Sequence, residues 1–184
     1  DLPDLCADRI DYFLRDWHGN TGERLDRFLD AVAVRDDRFV MTDRSTAEQY
    51  ALRYLEAAER WWANPEEVAT FELFADAIRA ALDAGELAEE DLFGTDDDVL
   101  HALQQSDVER VTEVMDLFDT GFSVEVDRDD PDFVGETKFR YVDPMVVADG
   151  GQCRVTDYSE QVRQRVEEHR QYVESGYPLR IVRH

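Results

Sequence analysis

Four aspartates, Asp4, Asp8, Asp11 and Asp16, crowd the opening stretch DLPDLCADRIDYFLRD, with Arg9 and Arg15 between them and Tyr12 at their centre. The apolar residues Leu2, Leu5, Cys6, Ile10, Phe13, Leu14 and Trp17 recur at the 3, 4 spacing of an amphipathic helix. On that helix Asp4, Asp8, Tyr12 and Asp16 stack one turn apart on a face away from the core. Like charges four apart repel, so either these groups are solvated or something positive belongs beside them. A carboxylate, a phenol and a second carboxylate in register can hold a cation and, next to it, the phosphate and sugar of a nucleotide, although a metal site needs further ligands.

The string ADRIDYFLRDW resembles the final motif of the HD-domain metal-dependent phosphohydrolases, in particular the branch of deoxynucleoside triphosphate triphosphohydrolases, whose pattern is D-[RK]-x-D-Y-x-x-R-D. The resemblance continues through RLDRFLDAVAVRDDRFVMTDRSTAEQYALRYLEAAERWW and covers roughly the first 65 residues. It implies that Asp8 ligates a metal, that Arg9 touches substrate phosphate, and that Tyr12 and Asp16 line the nucleotide's sugar. The implied cofactor is a divalent ion (Mn, Fe, Mg, Ni or Zn) that lowers the pKa of a bound water and polarises a phosphoryl oxygen, while Arg9 neutralises phosphate charge. No residue of this chain is assigned as catalytic.

The chain departs from the family in one respect. It has no His-Asp dipeptide, and His18, His101, His169 and His184 all follow Asp8, whereas the family's other ligands precede that position. One expectation is that the helices bearing His and His-Asp lie before Asp1, in keeping with a first residue that is not Met. The other is that the chain has lost its metal and serves as a scaffold. The sequence therefore reads as part of a phosphohydrolase acting on nucleotides or other phosphate esters, inactive without those helices. The alternative is a metal-free, HD-derived helical module for interaction or regulation.

Each of these residues also has a structural reading. The aspartates suit the solvated face of an acidic protein, and Tyr12 suits a half-buried packing position. His18 sits where a helix C-terminus favours its charged form, His101 reads as a core or surface residue, and His169 lies among Glu167, Glu168 and Arg170 on a polar face. Trp61 and Trp62 could stack a base, or, at the end of a long amphipathic helix, place one ring in the core and leave the other partly exposed. Arg53 and Arg60 are weaker phosphate contacts. Lys138, Arg140 and Arg154, around KFRYVDP, could take an anion or a subunit contact, or protect a strand edge.

Composition narrows the field. The 184 residues contain 44 acidic and 20 basic side chains, for a net charge of -24, and Lys138 is the one lysine. The acids are spread over nearly every segment, which points to a halophilic protein whose self-repulsion is screened by a saline cytosol. The same charge argues against a nucleic-acid partner, which requires clustered Lys and Arg. Cys6 and Cys153 stand apart and read as reduced core thiols. No apolar run is long enough for a membrane span. Together these features predict a cytoplasmic protein without a membrane partner, and a homo-oligomer.

The elements that must carry these residues follow from periodicity. Helices are expected from Leu2 to Trp17; Glu23 to Val34, burying Leu25, Phe28, Leu29 and Val32; Thr46 to Asn64, with Thr46 and Gln49 as a capping box; Glu66 to Ala84, with Pro65 in its first turn; Asp96 to Gln105, capped by Thr95; and Asp107 to Phe118, with RFVMT at 38 to 42 as a short strand or extended bridge. In the helix over 66–84, Phe71, Phe74, Ala75, Ile78 and Leu82 form the expected buried stripe. Beyond Gly121, FSVEV, KFRYVDPMVV, QCRVT and LRIV read as strands, with a turn at ADGG and a helix from Tyr158 to Ser175. The expected fold is mainly α, an HD-domain-like helical bundle over 1–120 with a small α+β appendage over 121–184.

Overall fold

The computed structural model describes residues 3–148 and 150–184. It divides into two compact units, one built from 1–64 and 138–175, the other from 65–137 and 176–184. These cuts fall elsewhere than at residue 120. The fold class also differs from the expectation: the chain is 57% helical with 17% strand in two sheets, a mixed α+β fold, not a helical bundle with a small appendage.

The first unit begins with α1 (Ala7–Thr21), which buries Ile10, Phe13 and Trp17. Gly22 ends it in the left-handed conformation at φ 73°, its N–H returned to the His18 carbonyl, a position glycine fills without steric penalty. The expected second helix is short, α2 (Asp26–Asp30), and its last residues belong instead to β1 (Val32–Arg35), which pairs as a hairpin with β2 (Arg38–Met41), the strand expected over 38–42. Asp36 and Asp37, both at positive φ, make the two-residue turn. Val32 and Val34 alternate with Ala33 and Arg35, and β-branched side chains favour the pleat over the helix. Leu29, expected in the core, is left half exposed.

After the hairpin comes α3 (Arg44–Ala57), whose N-cap Asp43 accepts from both the N–H and the hydroxyl of Thr46. That bonding holds the Asp43 carboxyl below the usual carboxylate range. Asp43, not Thr46, is therefore the cap. β5 (Met145–Ala148) joins β2 in parallel and pairs with β6 (Gly151–Arg154), giving the order β1-β2-β5-β6. α7 (Val155–Tyr158) and α8 (Glu160–Glu174) complete the unit. Residues 138–144, expected as strand, form none, and Asp149 of the expected ADGG turn lies outside the described residues. His169, expected on a polar face, is buried on α8.

The second unit holds α4 (Pro65–Asp83), α5 (Asp96–Gln104), α6 (Glu109–Thr120), β3 (Phe122–Val126), β4 (Phe133–Gly135) and β7 (Tyr177–Arg183). Pro65 opens α4 in the first turn, where its missing N–H costs nothing. Thr95 caps α5 through a reciprocal box with Asp98. The buried stripe of α4 is Val68, Ala69, Leu73, Ala77 and Ala81, displaced from the expected one, and Phe71 is 69% exposed. The antiparallel sheet has the order β3-β7-β4.

Gly135 on β4 lies where a Cβ would intrude on Cγ1 of Val68 and also meet Glu72. Val68 is buried and stiff at χ1, so it cannot swing aside. Gly135→Ala is expected to lower stability by about 1–3 kcal/mol, read as a shift in the urea midpoint. An unchanged midpoint would show that the sheet and α4 can separate freely.

The charge predicts a second measurable property. With acids outnumbering Lys and Arg 44 to 20, the melting temperature is expected to climb as KCl is raised from about 0.1 to 2 M, because the screening length falls from ~10 Å at 0.1 M to ~3 Å at 1 M. A flat or falling curve would contradict the reading of the surface as salt-adapted.

Candidate functional site

The four acids of the opening stretch separate once their surroundings are seen. Asp4 binds Nη2 of Arg154 at 2.7 Å, and Asp11 binds Arg15 one turn on at 2.8 Å. Asp16 accepts a 2.9 Å hydrogen bond from the Trp62 indole. Asp8, exposed on α1, has no hydrogen-bond or ion-pair partner among the described residues. The repulsion that the sequence posed is thus relieved at three positions by specific cations or donors and left standing at Asp8.

Arg9 is half-buried and donates from Nη1 to the Asp4 carbonyl at 2.7 Å, with no carboxylate partner among the described residues. Tyr12 is half-buried and shares a hydrogen bond between its hydroxyl and that of Tyr54. Burial, and then this bond, push the Tyr54 hydroxyl far above its ordinary range, so Tyr54 stays neutral and acts only as a hydrogen-bonding group. Tyr50, one turn before it, is fully buried with its hydroxyl unpartnered among the described residues.

The wall facing α1 owes its shape to an irregularity. After Ala57 the helix widens into a π turn over Ala58–Trp62, closed by the Ala63 N–H on the Ala58 carbonyl at 2.8 Å. The wider turn lets two consecutive tryptophans address the same neighbour. Trp61 packs edge-on against Trp17 at 5.3 Å, and Trp62 edge-on against Tyr12 at 5.0 Å. Such turns recur at functional sites. Both rings are half-buried, so the partial exposure expected of one of them holds for both, and neither is a fully buried core residue. Trp62 and Tyr54 were missed as site residues; their partners lie far along the chain, and the paired tryptophans were the one available signal.

The other positions resolve as follows. Arg53 lies over the Trp17 ring at 4.7 Å and pairs with Glu56, which also holds Arg60. His18 and His101 are exposed. Both His169 ring nitrogens lack a hydrogen bond among the described residues, and burial lowers its pKa, with Glu59 beyond bonding distance at 3.7 Å. Arg154 is committed to Asp4 and to the Asp143 carbonyl, so it does not join Lys138 and Arg140 as a free cation. A cleft of about 620 Å3 opens along α1, but it touches the helix through residues such as Asp11, Leu14 and His18, not through Asp8, Tyr12 or Asp16.

Among the described residues no three His, Cys, Asp or Glu side chains are grouped to hold a metal ion. These residues alone do not fit a metal centre; Asp8 offers a single carboxylate. Among the described residues no helix is long and apolar enough to cross a membrane.

No protein-family profile matches the chain, and no solved structure matches it significantly. Among curated proteins, it is 33% identical over 185 aligned residues, 98% of its own length, to the uncharacterized protein YdhJ of Bacillus subtilis (strain 168), and it spans 57% of that protein's length.

Proposed function

We propose that the chain is a section of an HD-like phosphohydrolase acting on nucleotides or other phosphate esters, in which α1 forms one wall of the site. One observation carries the reading: of the four acids in the opening motif, Asp8 is left exposed and unpartnered among the described residues, beside an Arg9 that has no carboxylate partner among those residues. An uncompensated carboxylate next to an uncompensated guanidinium suits a place where a cation and a phosphate meet. Trp62 and Tyr54 hold Asp16 and Tyr12 in place, so the sugar-facing role that the resemblance implies for them would be filled by preset groups. The metal ligands beyond Asp8 would come from residues other than these, and no chemical step is assigned to this chain alone.

The isolated 184-residue chain is expected to show no metal-dependent hydrolysis of phosphate esters, and turnover that rises with added Mn2+ would refute this. In the protein carrying the histidine ligands, Asp8→Asn is expected to lower activity at least ~100-fold, the upper end of what loss of an outer-shell partner alone costs. Metal analysis followed by a phosphate-ester screen supplies the reference.

A second reading is favoured by the absence of a ligand group among the described residues and by the internal engagement of Tyr12 and Asp16. In it, the chain is a metal-free interaction or regulatory module. A longer protein that binds no metal and is indifferent to Asp8→Asn would select this reading.

A further inference from the structure

The second unit contains a cleft of about 600 Å3 between α4, α6 and the strands β4 and β7. Three guanidiniums reach it from three elements: Arg79 on α4, Arg110 on α6 and Arg183 on β7. That convergence is notable in a chain with 44 acids and 20 basic residues, where an arginine ordinarily finds a carboxylate. The Arg183 side chain has no hydrogen bond or ion pair among the described residues. Arg79 reaches Oδ1 of Asp76 only at 3.9 Å, while Nε of Arg110 holds Oδ2 of the same carboxylate at 2.6 Å. A second acid of the lining, Asp132, accepts the Ile181 N–H at 2.7 Å and pairs with no arginine among the described residues. The cleft therefore holds two arginines with donors to spare, above apolar side chains including Leu73 and Phe133.

We propose that this cleft binds a small organic oxyanion, a phosphate monoester or a carboxylate on an apolar body, with Arg183 and Arg79 gripping the headgroup. Planar guanidinium forks match both headgroups in bidentate fashion, and the apolar side chains take the body. Glu72, which lines the cleft without a partner among the described residues, opposes the anion and sets a limit on affinity. The site is independent of α1 and of the phosphohydrolase reading.

Calorimetric titration of the whole chain at fixed KCl with phenyl phosphate, benzoate and inorganic phosphate tests this. Saturable binding of phenyl phosphate or benzoate near a millimolar dissociation constant is expected, with inorganic phosphate about tenfold weaker for want of a body. The tighter of the two organic probes identifies the headgroup. Arg183→Gln and Arg79→Gln are each expected to weaken that binding about tenfold, and Glu72→Gln to tighten it about threefold. Arg38→Gln, an exposed arginine on β2 in the other unit, should leave it unchanged. No saturation by any probe, or binding indifferent to the arginine and Glu72 substitutions, would overturn the proposal.

Discussion

Phe13→Ala is expected to remove about 3–5 kcal/mol of stability, measured as the loss of unfolding free energy in urea at constant KCl. Phe13 is fully buried at the centre of the first unit's core. Its ring meets Trp17, Phe28, Tyr50, Tyr54 and Trp62 at centroid separations from 4.9 to 6.4 Å. Truncation would forfeit the transfer free energy of the ring. It would also empty a space that five other aromatics cannot collapse into without breaking the bonds that hold some of them, Tyr54 to Tyr12 and Trp62 to Asp16. Edge-on aromatic contacts add about 0.5–1.5 kcal/mol beyond area, so Phe13→Leu should recover only part of the loss. A cost below about 1 kcal/mol would mean the cluster repacks freely, and the preset wall beside Tyr12 and Asp16 would then lose its physical basis.

Asp143→Ala is expected to cost about 2–4 kcal/mol, since hydrogen bonds to charged groups contribute ~1.5–3 kcal/mol and the orphaned donors add their own desolvation. Asp143 is 5% exposed in the strandless segment 138–144. One carboxylate oxygen accepts the Thr156 N–H at 3.0 Å, and the other accepts the Thr156 hydroxyl at 2.6 Å. Its backbone N–H reaches the Pro3 carbonyl, and its carbonyl accepts from Arg154, which in turn grips Asp4. Since Arg9 donates to the Asp4 carbonyl, this chain of bonds anchors the approach to α1, where Arg9 and Asp8 sit. A double-mutant cycle with Thr156→Val isolates the pair. Additive losses would show that the two side chains do not cooperate and that the anchor is the backbone alone.

Elements whose signals are local were legible. Thr95 capping α5, Pro65 opening α4 and the strand over 38–41 need only neighbouring residues to be read. Failures cluster where distant segments decide. The Val32–Arg35 strand reads from the sequence as the end of a helix because its turn, Asp36-Asp37, lacks the glycine that marks most two-residue hairpins. The periodicity of α4 points to the face of its two phenylalanines, Phe71 and Phe74, whereas the buried face is the one where small Ala69, Ala77 and Ala81 let neighbours approach closely. The mixed α+β class was missed for a related reason. β5 joins β2 in parallel, and β7 comes from the end of the chain to sit between β3 and β4, and no local pattern announces such pairings.

For the candidate site the division is equally physical. The sequence by itself determined that Asp8, Arg9, Asp11, Tyr12 and Asp16 would sit on one amphipathic helix, because 3.6 residues per turn is a property of the backbone; Asp4, expected on the same helix, precedes it, since α1 starts at Ala7. Only the tertiary structure decided which of those groups are spent and which remain free. Ion pairing and hydrogen bonding depend on partners such as Arg154, Trp62 and Tyr54, whose positions are set by packing and not by distance along the chain.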